Sequence, residues 1–296
     1  MRSRSNHSSP KRNPGGSQTD KPECDHSSRA NRLYIVGIGP GDIRHLTRRA
    51  MDVLQEVSAV VGYTTYIDLI RPLIHDKQIV STGMTKEVIR VESAINLALS
   101  GESCAIVSSG DPGIYAMAGL VFETCDAKQI QVVPRSEPGT RKQIDSKMLV
   151  VEIVPGIPAL SAGASLLGAP LTHDFAVISL SDLLTPWEII EKRLAAAAAA
   201  DFVIVLYNPK SKKRTWQLEK AQQIILAHRD KGTPVGIVTR AMRDGQGVEI
   251  VALEDLHTAE VNMQTTVFVG SSASRHYRDF MFTPRGYSQK YKIDPG

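Results

Sequence analysis

The chain has 296 residues, of which 42% are hydrophobic and 22% are charged. This is enough material for two modest domains or one large domain. The formal net charge is +4, from 35 basic and 31 acidic side chains. Residues 1–30 hold six of the basic and three of the acidic side chains, so the remaining chain has 29 basic and 28 acidic residues. A body so close to neutral disfavours a general nucleic-acid binder, which gains affinity by neutralising phosphates.

The cysteines and the apolar segments exclude further classes of protein. Cys24, Cys104 and Cys125 show no close pairing, which disfavours a disulfide framework. Cys104 lies in an apolar strand pattern that is typical of a buried core thiol. No Cys/His cluster has metal-ligand spacing, so we expect no metal site. No apolar run is long enough to span a bilayer, and no signal-peptide core is found at the N-terminus. We therefore expect a cytoplasmic protein without a membrane partner.

The first part of the chain predicts a tail followed by alternating strands and helices. Residues 1–30 are rich in Ser, Asn, Pro and charge, which predicts a disordered tail. Apolar periodicity then predicts strands over 33–36, 57–61, 104–107 and 149–154, and helices over 46–57, 88–99, 112–124 and 158–167. Asp111 is the predicted N-cap of the third helix, with Pro112 at its first position. Residues 126–148 are polar and basic, which predicts a surface excursion.

The second part continues the alternation. Strands are predicted over 175–180, 202–207, 235–239, 248–252 and 266–269, with helices beginning at the N-cap Thr185 and over 215–227. Alternating strands and helices indicate an α/β fold. We predict two α/β domains, 31–168 and 169–296, with the join around residues 165–174.

Three glycine-bearing turns follow predicted strands: GIGPGD at 37–42, SSGDPG at 108–113 and VPG at 154–156. The first resembles a dinucleotide fingerprint, but Asp42 stands at the third glycine position, which disfavours a nicotinamide dehydrogenase. One such turn could simply be a tight strand-to-helix connection. Ligands of open α/β sheets bind beyond the carboxyl ends of strands, so three such turns favour one shared small-molecule site.

Several polar residues have both a functional and a structural interpretation. Asp111 could cap a helix or accept hydrogen bonds from a ligand. The cations from Lys210 to Arg214 oppose the dipole of the next helix, so they could be a solvated surface run or could bind carboxylates. His173 and Asp174 precede a strand at the domain join and could act as acid and base, or be hydrogen-bonded structural residues. Further basic candidates are Arg240, Arg243, Arg275, His276 and Arg278.

The turns also resemble a known family. GIGPGD with Leu46 and Thr47, SGDP at 109–112, VPGI at 154–157 and APL at 169–171 with His173 resemble the motifs of the tetrapyrrole methylases. The resemblance runs from about residue 33 to residue 286. Within that family, LTHDF at 171–175, SLSDLLTPW at 179–187 and LYNP at 206–209 resemble the precorrin-3B C17-methyltransferase branch of cobalamin biosynthesis. The N-terminal tail and the long basic stretch 126–148 depart from the family pattern.

The resemblance implies two α/β domains with a cofactor cleft between them, S-adenosylmethionine as cofactor, and a homodimer. It implies methylation of C17 of precorrin-3B coupled to ring contraction, which gives precorrin-4. The implied cofactor contacts are Pro40, Gly110, Asp111, Ile114, Pro158, Ala159, Tyr207, Asn208, Arg240, Ala241, Thr265 and Thr266. For the acidic arms of the tetrapyrrole we predict Lys210, Arg214 and Arg240. For the proton movement of ring contraction we predict His173 or Asp174.

Other functions remain open at this point. The same chemistry could act on cobalt-factor III, and a methylase of this fold could act on another corrin intermediate or on a protein side chain. A nicotinamide dehydrogenase and a non-catalytic tetrapyrrole carrier are alternatives of a different kind.

Overall fold

The fold comes from a computed structural model that describes residues 31–135 and 148–291. The predicted tail 1–30 lies outside the described residues, as do Arg141, Lys142 and Lys147 of the basic excursion. Within the described ranges, no helix has both the length and the apolar composition needed to cross a bilayer.

A parallel sheet occupies the first half of the chain. Its strands are β1 (Arg32–Gly37), β2 (Ala59–Tyr63), β3 (Gln78–Thr82), β4 (Ser103–Ser108), β5 (Val132–Pro134) and β6 (Leu149–Val154). Their spatial order is β3-β2-β4-β1-β6-β5, and every neighbouring pair is parallel. The helices are α1 (Arg48–Glu56), α2 (Thr64–Ile70), α3 (Glu87–Leu99) and α4 (Met117–Ala127).

The alternation of side chains along β1 explains why this sheet is covered on both faces. Leu33 and Ile35 are buried among residues of α3 and α4, whereas Tyr34 and Val36 are buried among residues of α1 and α2. A strand that is apolar on both faces is typical of a parallel sheet between two helical layers. β1 is thereby central, with β4 and β6 as its neighbours.

A mixed sheet occupies the second half. Its strands are β8 (Phe175–Ser179), β9 (Val203–Tyr207), β10 (Pro234–Thr239), β11 (Gly247–Ala252) and β12 (Thr265–Val269), in the order β11-β10-β12-β9-β8. Only β8 and β9 are parallel neighbours. Helices α6 (Trp187–Ala199) and α7 (Gln217–Leu226) cover one face. A small sheet of β7 (Gly168–Ala169), β13 (Arg275–Tyr277) and β14 (Phe280–Phe282) lies beside it, followed by α8 (Tyr287–Lys290).

Helix α5 (Ala159–Leu167) follows the first sheet in sequence but packs on the second. A Cβ atom on Gly163 would lie 2.7 Å from the ring of Phe268, and one on Gly236 would lie 2.4 Å from Leu167. The small residues of α5 allow this close packing. The predicted domain boundary between residues 168 and 169 stays a prediction. Helix α5 precedes that boundary in the chain, but it packs on the sheet that follows it.

Most predicted elements are confirmed to within a few residues, and the differences have local causes. The strand β5 lies inside the predicted excursion 126–148 and pairs with β6 at the edge of the sheet. Helix α2 and strand β3 were not predicted, nor was the small sheet. Helix α6 begins after Pro186 rather than after Thr185.

The predicted start of the third helix is wrong. Helix α4 begins at Met117 rather than at Pro112, and Asp111 is not its N-cap. Residues 111–116 instead form turns in which Tyr115 has φ +51°, a left-handed conformation that a helix cannot contain.

Candidate functional site

The three glycine turns meet at the carboxyl edge of the first sheet, because they follow the adjacent strands β4, β1 and β6. Gly39 and Gly110 exchange two backbone hydrogen bonds, 3.1 Å from the Gly39 nitrogen to the Gly110 oxygen and 2.7 Å in the reverse direction. A Cβ atom on Gly37 would lie 2.6 Å from the Gly110 oxygen and 2.7 Å from the Gly156 nitrogen. The prediction that these turns converge on one place is confirmed.

Asp111 links the second turn to the third. Its Oδ1 accepts a hydrogen bond from the Gly113 nitrogen at 2.8 Å, and its Oδ2 accepts one from the Gly156 nitrogen at 3.1 Å. A carboxylate that accepts from backbone N–H groups fixes the shape of a turn. Asp111 therefore has a structural role between turns as well as a position at their meeting point.

Tyr207, the last residue of β9, connects the second sheet to these turns. Its hydroxyl oxygen accepts a hydrogen bond from the Leu160 nitrogen at 2.8 Å, which satisfies an N–H group in the first turn of α5. Its ring lies 5.3 Å from the ring of Tyr115, whose hydroxyl donates to the Val177 oxygen at 3.0 Å. Burial raises the pKa of Tyr207 to about 12, so the phenol stays protonated at neutral pH.

Arg214 holds the turn that follows Tyr207. Its Nε donates to the Asn208 oxygen at 2.7 Å, and its Nη1 donates to the Ser181 hydroxyl at 3.3 Å. Asn208 has φ +52°, and its side-chain amide donates to the Ser179 hydroxyl at 3.0 Å. Burial lowers the pKa of the Arg214 guanidinium, which is 9% exposed. Arg214 thus positions Asn208, whereas Lys210 is exposed to solvent.

The ends of β10 and β12 supply the other predicted contacts from the second sheet. β9 and β10 both run antiparallel to β12, so the carboxyl ends of β9 and β10 lie at the edge where β12 begins. Arg240 donates to the Gln264 side chain at 2.7 Å, and the hydroxyls of Thr239 and Thr265 are 2.8 Å apart. The edge therefore carries four predicted cofactor residues: Arg240, Ala241, Thr265 and Thr266.

Arg243 bridges the two sheets. Its Nε donates to the Pro40 oxygen in the first turn, and its Nη2 donates to the Ser109 hydroxyl in the second at 2.8 Å. We name the place where the three turns meet the loops after β9 and β10 the junction. In the sequence, Arg243 is one of several basic candidates, since nothing in its local pattern distinguishes it from Arg240.

The remaining cofactor candidates also lie at the junction. A Cβ atom on Gly110 would lie 3.6 Å from the Cα of Pro158 and 3.8 Å from the nitrogen of Ala159. The nitrogen of Ile114 donates to the Asp111 oxygen at 3.3 Å. The structure therefore brings together the predicted cofactor residues of both halves of the chain.

The structure does not bring His173 and Asp174 to the junction. The Asp174 oxygen accepts from the Val203 nitrogen at 3.1 Å, which places this pair at the amino ends of β8 and β9. Both side chains are exposed, at 53% and 81%. Six residues of extended chain separate His173 from Ser179, or roughly 20 Å. A residue just before a strand of this sheet lies at the opposite edge from a residue just after it.

Cys104 is a core thiol, as predicted. It is buried in β4, and desolvation raises its pKa to about 12, so it carries no thiolate at neutral pH. Among the described residues, no group of three or more His, Cys, Asp or Glu side chains is placed to hold a metal ion.

Comparison with known proteins links this geometry to named relatives. The chain is 47% identical over 263 residues to a cobalt-factor III methyltransferase of Priestia megaterium, covering 89% of this chain and 46% of that protein. It is 43% identical over 256 residues to a probable cobalt-factor III C(17)-methyltransferase of Salmonella typhimurium, covering 86% of this chain and 99% of that one. The chain thus spans about half the length of the first relative and nearly all of the second.

The fold has a counterpart among solved structures. The crystal structure of the methyltransferase CobJ superposes with a TM-score of 0.74 at 34% identity, over 85% of this chain and 99% of that one. The profile of the family described as Tetrapyrrole (Corrin/Porphyrin) Methylases matches residues 32–257. From this match and these relatives we conclude that the chain belongs to the tetrapyrrole methylase family.

Proposed function

We propose that this protein methylates C17 of a tetrapyrrole with S-adenosylmethionine and contracts the ring, converting precorrin-3B to precorrin-4. The observation that carries the proposal is the junction, where three backbone turns of one sheet meet the loops of the other. Methylation at C17 is supported by the name of the Salmonella relative, a probable cobalt-factor III C(17)-methyltransferase. The match covers 99% of that relative's length.

The residues at the junction fit S-adenosylmethionine. Gly37, Gly110 and Gly156 bring backbone groups together so closely that side chains at Gly37 or Gly156 would collide with them. Backbone N–H and C=O groups at strand ends are suited to a small polar ligand. We propose that the cofactor is held by these turns from Pro40 to Ile114, by Pro158 and Ala159, and by the loops carrying Tyr207, Asn208, Arg240, Ala241, Thr265 and Thr266.

The chemistry requires positioning more than proton transfer. The cofactor supplies an electrophilic methyl group on a sulfonium, and the ring carbon supplies the electron pair of the new C–C bond as the C–S bond breaks. The protein must align the two reactants, which can account for a large part of the rate effect. Backbone turns linked by hydrogen bonds to each other and to Arg243 suit this positioning task.

Cations at the same edge suit the acidic arms of the macrocycle. Lys210 and Arg240 are exposed on loops after β9 and β10, and Arg214 donates to the Asn208 oxygen in the same loop as Lys210. We propose that they bind carboxylate arms through charge-assisted hydrogen bonds. The role of His173 or Asp174 in ring contraction stays a prediction, and their place at the opposite strand ends does not support it.

The second candidate is the same reaction on cobalt-factor III. The names of both relatives favour it, since each contains cobalt-factor III. The junction residues proposed for cofactor and arms would serve either macrocycle.

The test is product mass spectrometry after incubation of the full chain with methyl-labelled S-adenosylmethionine and either precorrin-3B or cobalt-factor III. We expect S-adenosylhomocysteine and one labelled methyl on the contracted product of one macrocycle. Binding of a macrocycle without turnover would favour a carrier, and binding of NAD by calorimetry would favour a dehydrogenase. Light scattering of the same preparation tests the proposed homodimer.

A further inference from the structure

Buried arginines of this protein differ in what neutralises them. Arg90, Arg214 and Arg229 are 4%, 9% and 8% exposed. Arg229 forms an ion pair with Asp201 at 3.2 Å and donates to several backbone carbonyls. A buried cation needs such compensation, because its transfer out of water is strongly unfavourable. Arg229 is therefore a satisfied structural residue.

Arg90 lacks a carboxylate partner among the described residues. Its Nε donates to the Thr82 hydroxyl at 2.8 Å and its Nη2 donates to the Gly83 oxygen at 3.0 Å. Its Nη1 points at the Met117 sulfur at 3.7 Å. A thioether is a weak acceptor. Arg90 thus keeps one donor group that is poorly satisfied.

Arg214 has the same arrangement on the other sheet. After its bonds to Asn208 and Ser181, its Nη2 points at the Met263 sulfur at 3.4 Å. No described carboxylate pairs with it. Arg90 also lies 5.8 Å from the centroid of the Tyr63 ring, a cation–π contact that compensates its charge only in part. Glu87 attracts Arg90 and Asp182 attracts Arg214, but neither acid forms an ion pair with its arginine.

Both arginine–methionine pairs adjoin the junction. Met117 is the first residue of α4, two residues after Tyr115, which contacts Tyr207 and the second sheet. Met263 directly precedes Gln264, which binds Arg240. Methionine side chains are flexible and can move from such positions at small cost.

We propose that Arg90 and Arg214 are carboxylate receptors for two acidic arms of the macrocycle, and that Met117 and Met263 occupy the receptor positions until the arms displace them. This inference rests on the proposed function and adds Arg90 to it as a specificity-determining residue. A carboxylate at either position would receive charge-assisted hydrogen bonds and neutralise a buried cation, which a thioether does not.

The test places a carboxylate in the Arg90 receptor from within the chain. In Met117→Glu, the new carboxylate should pair with Arg90, raise the melting temperature above that of the neutral control Met117→Gln, and compete with the macrocycle. We expect the dissociation constant for cobalt-factor III or precorrin-3B, measured by absorbance titration, to rise roughly tenfold or more over that of Met117→Gln. S-adenosylmethionine binding should be the same in both variants.

A second pair of variants removes the receptor itself. Arg90→Gln should weaken macrocycle binding and its dependence on salt concentration, whereas Arg71→Gln, which removes an exposed arginine paired with Asp68, should not. Equal macrocycle binding by Met117→Glu and Met117→Gln, or by Arg90→Gln and the wild type, would refute the proposal that Arg90 binds an acidic arm. That result would not contradict the proposed function. Failure of the wild-type protein to bind either macrocycle would instead refute the proposed function.

Discussion

At the scale of single residues, the junction depends on glycines that have no room for a side chain. A Cβ atom on Gly156 would lie 2.2 Å from the Gly110 oxygen and 2.8 Å from the Gly37 backbone. These neighbours are backbone atoms, which cannot rotate away as a side chain could. The glycine turns were recognisable in the sequence because such turns are local. Their mutual contact was not, because it depends on strand order.

Gly156→Ala should therefore destabilise the protein and weaken S-adenosylmethionine binding. We expect a loss of about 1–3 kcal/mol in the free energy of unfolding, measured by urea denaturation, because the added methyl group overpacks the turns. Gly119→Ala is the matched control, since a Cβ atom there would meet nothing within 4 Å. In the helix α4 this control should stabilise by about 0.5–1 kcal/mol. Equal effects at the two positions would contradict the steric explanation.

Asp42, in the first turn, provides a prediction about pH. Hydrogen bonds from Arg44, including one of 2.6 Å from its Nη2, hold the pKa of the Asp42 carboxyl at about 2, below its ordinary value of 3.8. Because the folded pKa is the lower one, the ionised carboxyl stabilises the turn above a pH of about 3.8, and this contribution is lost as the pH falls through about 2.

Carboxyl titration by NMR tests this shift. At a pH of about 3.8, Asp42 should stay almost fully ionised in the wild type. In Arg44→Ala the midpoint should rise toward the ordinary value without reaching it, because the side-chain hydrogen bonds are lost while the backbone N–H of residue 44 still donates to the carboxylate. Arg48→Ala, which removes the neighbouring ion pair with Asp52, should leave the Asp42 midpoint where it is. An unshifted midpoint in the wild type would show that the Arg44 contacts do not persist in solution.

At the scale of elements, helix α5 shows how packing departs from sequence order. Its small residues allow close approach to a sheet, and α5 directly follows β6 of the first sheet in the chain. The contacts of Gly163 with Phe268 and of Leu167 with Gly236 place it on the second sheet instead. Similarly, α4 starts later than predicted because Asp111 bonds to Gly156 of another turn, which a local capping rule does not include.

Gly163→Ala should destabilise the protein even though alanine is the better helix former. The new methyl group would lie 2.7 Å from the buried ring of Phe268, so α5 would have to move away from the sheet. We expect a loss of about 1–3 kcal/mol in the free energy of unfolding, opposite in sign to the Gly119→Ala control in α4. A stabilising effect would mean that α5 does not lie against Phe268.

At the scale of the whole molecule, the loops of one sheet are fastened to the turns of the other. Arg243 reaches from the loop after β10 to Pro40 and Ser109, and Tyr115 reaches from the turn before α4 to Val177. These contacts bring cofactor candidates from both halves of the chain to one place. Burial lowers the pKa of the Arg243 guanidinium. Among the described residues, no carboxylate pairs with Arg243.

Arg243→Met should loosen the junction without unfolding either sheet. The variant loses hydrogen bonds that hold the first two glycine turns, so we expect the dissociation constant for S-adenosylmethionine to rise roughly tenfold by calorimetry. The free energy of unfolding should change little, because the core clusters do not include this residue. Arg275→Met, at an exposed residue of β13, should bind the cofactor like the wild type. Equal S-adenosylmethionine affinities of the wild type, Arg243→Met and Arg275→Met would show that Arg243 does not support cofactor binding.

The sequence by itself determined the alternating α/β architecture, the three glycine turns and the family resemblance, because these depend on local periodicity and on short motifs. Only the tertiary structure decided which residues share the junction. Arg243 acquires its place from strand order and from contacts over long chain separations, which no local pattern encodes. His173 and Asp174 illustrate the converse, since their motif is recognisable but the direction of β8 carries them to the opposite edge of the sheet.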